Sequence, residues 1–200
     1  MGFARYKDKF IVIFADQNRK MKKLSLSELS RIDTEQFKKM AKTPIVVILD
    51  DIRSMNNVGS VFRTADAFAL EKIYLCGITA CPPHKEITKT ALGATESMEW
   101  EYRDDIMALT GELKRSGYKI YVVEQTDSSV MLDNFIYEGE SKIAIILGNE
   151  VFGVKEELLY IADGAIEIPQ YGTKHSLNIS VAAGIVIWDL FRKIKSGNRF

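Results

Sequence analysis

The chain has little of what staples or ligates a protein. Two cysteines, Cys76 and Cys81, and two histidines are spread over 200 residues, with no Cys/His spacing that completes a tetrahedral site. That excludes a zinc module and a disulfide scaffold, leaves both thiols as buried or incidental side chains, and fits a reducing cytosol. No apolar run is long enough to cross a bilayer, and the opening "MGFARYKDKFIVIFADQNRK" sets charges on both sides of a short apolar run, unlike a secretory signal. The expectation is a cytoplasmic protein that uses no metal. Short fingerprints are missing too. There is no G-x-G-x-x-G, no P-loop ending in Lys-Ser/Thr and no G-x-S-x-G elbow, which argues against dinucleotide, nucleotide-phosphate and serine-hydrolase chemistry.

Net charge is also missing, but only in the sum. Residues 1–43 hold eleven Lys/Arg against five Asp/Glu, residues 192–200 hold four basic residues and no acid, and the stretch between holds twelve basic and twenty-two acidic residues. Basic blocks of this kind attract phosphate backbones, or they are solvated helix faces.

What is present is an alternation of strand and helix patterns. Five near-continuous apolar runs read as buried parallel strands: 44–50, 72–77, 118–124, 142–148 and 164–169. A sixth segment, 97–103, reads as an ambiguous edge strand. Helical patterns cover 58–69, 104–116 with Asp104 as its cap and Gly117 as its stop, 154–161, and an apolar helix from about Leu177 to Ile194. The pattern predicts an α/β fold, a mostly parallel sheet covered by helices on both faces. Residues 1–43 read as a basic helical appendage, with capping spacings at Ser25–Glu28 and from Thr34. Met21 leaves a second translation start open.

Three segments carry candidate chemistry. "NVGSVFRTA" (57–65) follows the first strand and offers Asn57 and Arg63; an arginine there forks onto phosphate, or is an exposed arginine on a packed helix. "LGNEVFG" (147–153) ends the fourth strand, where ligands gather in open α/β sheets, and Glu150 reads equally as a functional carboxylate or a helix-start acid. "IPQYGTKHSLNISVAAGIVIW" (168–188) follows the fifth strand, with Ser176 or Asn178 capping the last helix. His175 beside Ser176 invites a hydrolase reading, but the only later acid is Asp189, inside that helix. The small residues Ala182, Ala183 and Gly184 allow close backbone packing, in the core or in a dimer.

These three segments, in this order, together with "KTALGA" (89–94), resemble the SpoU (TrmH-like) family of RNA methyltransferases in the SPOUT superfamily over roughly residues 44–190. Gln170 stands where that pattern usually has Met. The resemblance implies a C-terminal deep trefoil knot in a domain spanning 44–200. It implies S-adenosyl-L-methionine as cofactor, held by Gly148, Ile168 and Leu177, with Leu147, Asn149 and Thr126 beside them. It implies a homodimer through the knot and C-terminal helix, and methyl transfer to a ribose 2′-hydroxyl of tRNA or rRNA, with tRNA slightly favoured. Arg63 is implied as the catalytic arginine, with Asn57, Glu150, Ser176 and Asn178 around it. As a general base an arginine needs its pKa lowered by about five units, at least ~7 kcal/mol; as a charged clamp it needs no such shift. A separate N-terminal RNA-binding domain is not expected, which makes the basic blocks at 1–43 and 192–200 the candidates for RNA contact. Two alternatives remain: a non-catalytic knotted RNA-binding protein, and a base-directed methyltransferase.

Overall fold

Strands rich in Val, Ile and Leu on both faces need helices above and below them. A computed structural model describes residues 21–25, 27–29, 31–139 and 141–197. The chain divides into two units between Asp33 and Thr34. In the first, the described residues make a 3-10 turn at Ser27–Leu29. The expected Ser25–Glu28 pairing closes it: the Ser25 amide donates to Glu28 Oε2 at 2.8 Å and Lys22 pairs with Oε1 at 2.8 Å. The Lys22 ammonium first, then the Ser25 amide and hydroxyl, hold the Glu28 carboxyl down at about 2. Readings that fall on residues 1–20 and 198–200, including the first twenty residues of the basic appendage, lie outside the described residues.

The second unit is built on seven strands: β1 (Thr43–Asp50), β2 (Leu70–Cys76), β3 (Trp100–Arg103), β4 (Tyr118–Val123), β5 (Val130–Met131), β6 (Lys142–Leu147) and β7 (Gly164–Glu167). Neighbouring strands pair in parallel, in the order β3-β2-β1-β6-β4-β7-β5. The ambiguous segment is therefore edge strand β3, paired Ile73 to Trp100. The two-residue β5, at the other edge, is too short to carry a periodic signal.

The helices are α1 (Thr34–Lys39), α2 (Met55–Ala67), α3 (Lys85–Ala91), α4 (Ala94–Ser97), α5 (Ile106–Arg115), α6 (Glu156–Ile161) and α7 (Ile179–Ser196). Along β1 the side chains alternate between two cores. Ile45, Val47 and Leu49 face the cluster that contains Phe62, Ile87 and Val186. Val46 and Ile48 face the one that contains Leu109 and Leu158. Thus α2, α3, α4 and α7 cover one face and α5 and α6 the other, as the alternating pattern predicts. Phe37 of α1 is buried in the first cluster. No helix among the described residues is long and apolar enough to cross a membrane.

Local polar chemistry moved several boundaries. The cap of α5 is Asp105, not Asp104: its Oδ1 accepts the Ala108 amide at 3.0 Å, three residues on. Helix α2 starts three residues earlier than its apolar pattern, because Ser54 caps it through the Asn57 amide. Helices α3 and α4 escaped the periodic reading. Leu92 (φ 49°) and Gly93 (φ 90°) break them into pieces too short for a repeat.

Phe62 is fully buried and meets Trp100 edge-on, with ring centroids 6.4 Å apart. Phe62→Ala is expected to cost about 3–5 kcal/mol of stability, read as a lowered urea midpoint at unchanged slope; a loss below about 1 kcal/mol would contradict the packing described.

Candidate active site

Strands β1 and β6 lie side by side at the centre of the sheet, so the loops leaving their carboxyl ends meet. Asp51 enters the β1 loop in the left-handed region (φ 55°), a conformation uncommon for a side chain without local support. Support is present: Asp51 Oδ1 accepts the Ile78 amide at 2.9 Å, and Lys155 pairs with its carboxylate at 2.7 Å. The same lysine reaches buried Asp50 at 3.1 Å. Burial pushes the Asp50 carboxyl up despite Lys155, whereas the Lys155 hydrogen bond holds Asp51 down.

So placed, the Asp51 carbonyl accepts Asn149 Nδ2 at 2.7 Å. Asn149 then closes a tight turn with Gly153 through two backbone hydrogen bonds of 2.9 Å, while its Oδ1 accepts the amides of Val151 and Phe152. Gly153 has φ 69°, and a Cβ on Gly148 would overlap the Gly153 carbonyl and the Val154 amide. The turn needs both glycines.

The turn presents Glu150 back to the β1 loop. Its Oε2 accepts the Arg53 amide at 2.9 Å; its Oε1 accepts the Ser54 amide at 3.0 Å and Asn57 Nδ2 at 3.1 Å. Burial alone would raise the Glu150 carboxyl, but the donors from Arg53, Ser54, its own backbone and Asn57 together outweigh it, and the net shift is downward. Asn57 passes the chain on: its Oδ1 accepts Asn178 Nδ2 at 3.1 Å. Asn178 in turn caps α7, accepting the Ser180 amide at 2.9 Å. Asn178, and not Ser176, is therefore the cap. Three segments, the first of them 93 and 121 positions from its partners along the chain, share one hydrogen-bond line.

Beside this line opens a cavity of ≈ 590 Å³, walled by the ends of β4, β6 and β7 and by the loop before α7. Its apolar wall includes Leu147, Ile166, Ile168, Leu177 and Ala182. Its charged wall is Glu124, Glu150 and Glu167, and among the described residues no Lys or Arg lines it. Glu124 also anchors the turn by accepting the Val154 amide at 3.0 Å.

Of the residues singled out from sequence, Leu147, Gly148, Asn149, Glu150, Ile168, Ser176, Leu177 and Asn178 line this cavity, and Asn57 touches two of them. Thr126 does not line it; its hydroxyl accepts the Ser128 amide within its own turn. Arg63 lies apart, exposed on α2 and lining a second, open groove with α3. Sequence reasoning missed Glu124 and Gln125, whose Nε2 donates to the His175 carbonyl at 3.1 Å. The available signal was an acid placed directly after a buried strand. The basic block from residue 192 is also partly spent on structure: Lys193 is buried against Asp189 and the Leu132 carbonyl, and Arg192 pairs with Asp189.

The SpoU rRNA Methylase family model matches residues 44–188. The chain is 30% identical over 160 residues to an uncharacterized tRNA/rRNA methyltransferase of Borreliella burgdorferi, covering 80% of this chain and 68% of that protein. It is 27% identical over 172 residues to the tRNA (guanosine(18)-2′-O)-methyltransferase of Thermus thermophilus, covering 86% and 87%. Its fold is similar to the TrmH/SpoU tRNA modifying enzyme of A. aeolicus (TM-score 0.71, 27% identity, 82% of each chain). It is also similar to an AdoMet-bound rRNA methyltransferase of Sinorhizobium meliloti (TM-score 0.71, 25% identity, 79% of this chain and 60% of that one).

The Glu150 contacts are testable through pH. A carboxylate held below its ordinary value stabilises the fold above that value and stops doing so as pH falls through the folded-state value. Wild type is expected to exceed Glu150→Gln by about 1 kcal/mol near neutrality, discounted for the exposure of the side chain. The gap in urea-unfolding free energy should close below about pH 4; a gap that stayed constant with pH would contradict this.

Proposed function

This chain belongs to the SpoU rRNA methylase family, of the SPOUT superfamily, and on that premise we propose that it transfers a methyl group from S-adenosylmethionine to a ribose 2′-hydroxyl of tRNA or rRNA. The single observation that carries the cofactor is the charge of the cavity: among the described residues three carboxylates and no Lys or Arg line it. Such a wall favours a cationic sulfonium and disfavours the phosphates of a dinucleotide. Its volume is in the range of small-molecule sites. Gly148, Leu147, Asn149, Ile168 and Leu177 would hold the cofactor, whose sulfonium-bound methyl is already activated toward an oxygen nucleophile.

The chain's own task is then alignment and management of the hydroxyl proton. Glu150 is a poor proton acceptor, because four donors already satisfy its charge; we assign it, with Asn57 and Asn178, to holding the loops in register. Ser176 orients the loop or the ribose. Arg63 clamps a phosphate near the target ribose or stabilises the developing alkoxide.

Arg63 and the cavity face different parts of the protomer, which supports a site completed across a homodimer. We read the dimer surface as α7, where Val181, Ile185 and Trp188 stay 50%, 38% and 51% exposed on one stripe. We also read residues 168–178 as the tail of a deep trefoil knot. The return of this tail from β7 past Gln125 to Asn57 supports that reading. We further propose cytoplasmic placement and, from the basic flanks of the sequence, tRNA ahead of rRNA.

Two measurements test it. Calorimetry is expected to detect S-adenosylmethionine binding and no NAD binding; the reverse pattern would sink the cofactor assignment. Arg63→Ala is expected to lower methyl transfer to RNA by at least about 100-fold while cofactor affinity stays within about twofold. Near-full activity in that variant would remove Arg63 from the site.

A further inference from the structure

The open groove between α2 and α3, of ≈ 520 Å³, is lined by Ser60, Arg63, Thr64, Phe68, Lys89 and Thr90 among others. Among the described residues no carboxylate lines it, although residues 44–191 carry nearly twice as many acidic as basic side chains. Lys72, Arg103, Lys114, Lys142, Lys155 and Lys193 are all held in ion pairs. Arg63 and Lys89 are exposed and have no ion pair among the described residues.

The groove is also built closely. A Cβ on Gly59 would overlap Thr90 Oγ1 and the Ile87 carbonyl, so glycine there is what lets α3 lie against α2 and brings Lys89 to the same groove as Arg63. Its hydroxyls are committed inward: Ser60 donates to the Asn56 carbonyl at 2.8 Å, Thr64 to the Ser60 carbonyl at 3.1 Å and Thr90 to the Asn56 carbonyl at 3.1 Å. The two cations are the donors left to answer an anion.

We propose that this groove is a phosphodiester-binding subsite for the RNA substrate, in which Lys89 joins Arg63 and holds the backbone outside the acidic cavity. The proposal rests on the RNA-methylating function above and adds a residue and a site to it. A compact ammonium on an exposed stem acts as a point charge for phosphate and contributes the same to every sequence.

The test is equilibrium binding of the full chain to unfractionated transfer RNA across a salt series. One lost phosphate contact flattens the log K against log salt slope by about 0.7–0.9 and weakens binding about five- to eightfold at 0.1 M salt, with the difference vanishing toward 1 M. Lys89→Gln is expected to show that change with cofactor affinity intact. Lys119→Gln, an exposed lysine near the amino end of β4, is expected to leave slope and affinity unchanged. A wild-type slope and affinity in Lys89→Gln, or an equal loss in Lys119→Gln, would overturn the subsite while leaving the methylation reading in place. Absence of any RNA binding by wild type would overturn both. RNA binding with the expected Lys89 effect but no methyl transfer would retain the subsite and remove the catalytic reading.

Discussion

A carboxylate gripped by the backbone of a neighbouring loop is the interaction on which the rest of the site depends. Glu150, leaving β6, takes the amides of Arg53 and Ser54, leaving β1, and the side chain of Asn57. Amides in the turn that leads into a helix have no acceptor within the helix, and here one side chain from a distant segment supplies it. The grip works only because Asp51 turns left-handed to offer its carbonyl to Asn149, and because Gly148 and Gly153 let the β6 turn close on itself. Through Asn57 the same line reaches Asn178 and sets the start of α7. Cavity wall, helix α2 and final helix are thereby placed by one continuous set of polar contacts.

The electrostatics divide the molecule's functional surface in two. Among the described residues the cavity has carboxylates and no Lys or Arg, and the groove has Arg63 and Lys89 and no carboxylate. A cationic cofactor and a polyanionic substrate would each meet the opposite sign, and the acidic cavity would discourage phosphates from entering the cofactor's place. That division would let one small unit serve two ligands of opposite charge. It also explains why the chain's zero net charge says nothing useful about its partners.

The sheet was readable because buried parallel strands tend to near-continuous apolar runs: β1 and β6 show this plainly, and β2, β4 and β7 carry apolar residues at half or more of their positions. The site segments were readable as residues at the carboxyl ends of those strands. The pairing of Glu150 with the amides of Arg53 and Ser54 was not readable, since no side-chain pattern marks a backbone donor some hundred positions away. Glu124 was missed for the same reason: its partner is the Val154 amide. The short α3 and α4 gave no period, yet α3 supplies Lys89 to the groove. Arg63 could be named from its motif, but its separation from the cavity could only come from three dimensions.

The central claim is that this acid-lined cavity and its polar clasp serve methylation of a ribose hydroxyl. The direct measurement is transfer from S-adenosylmethionine labelled on the methyl group to tRNA and rRNA transcripts, followed by digestion of the RNA to nucleosides and separation of the products. The account predicts that the label resides in a nucleoside methylated at the ribose 2′-oxygen. Label confined to a base, or no transfer to either RNA by protein that binds the cofactor, would contradict it.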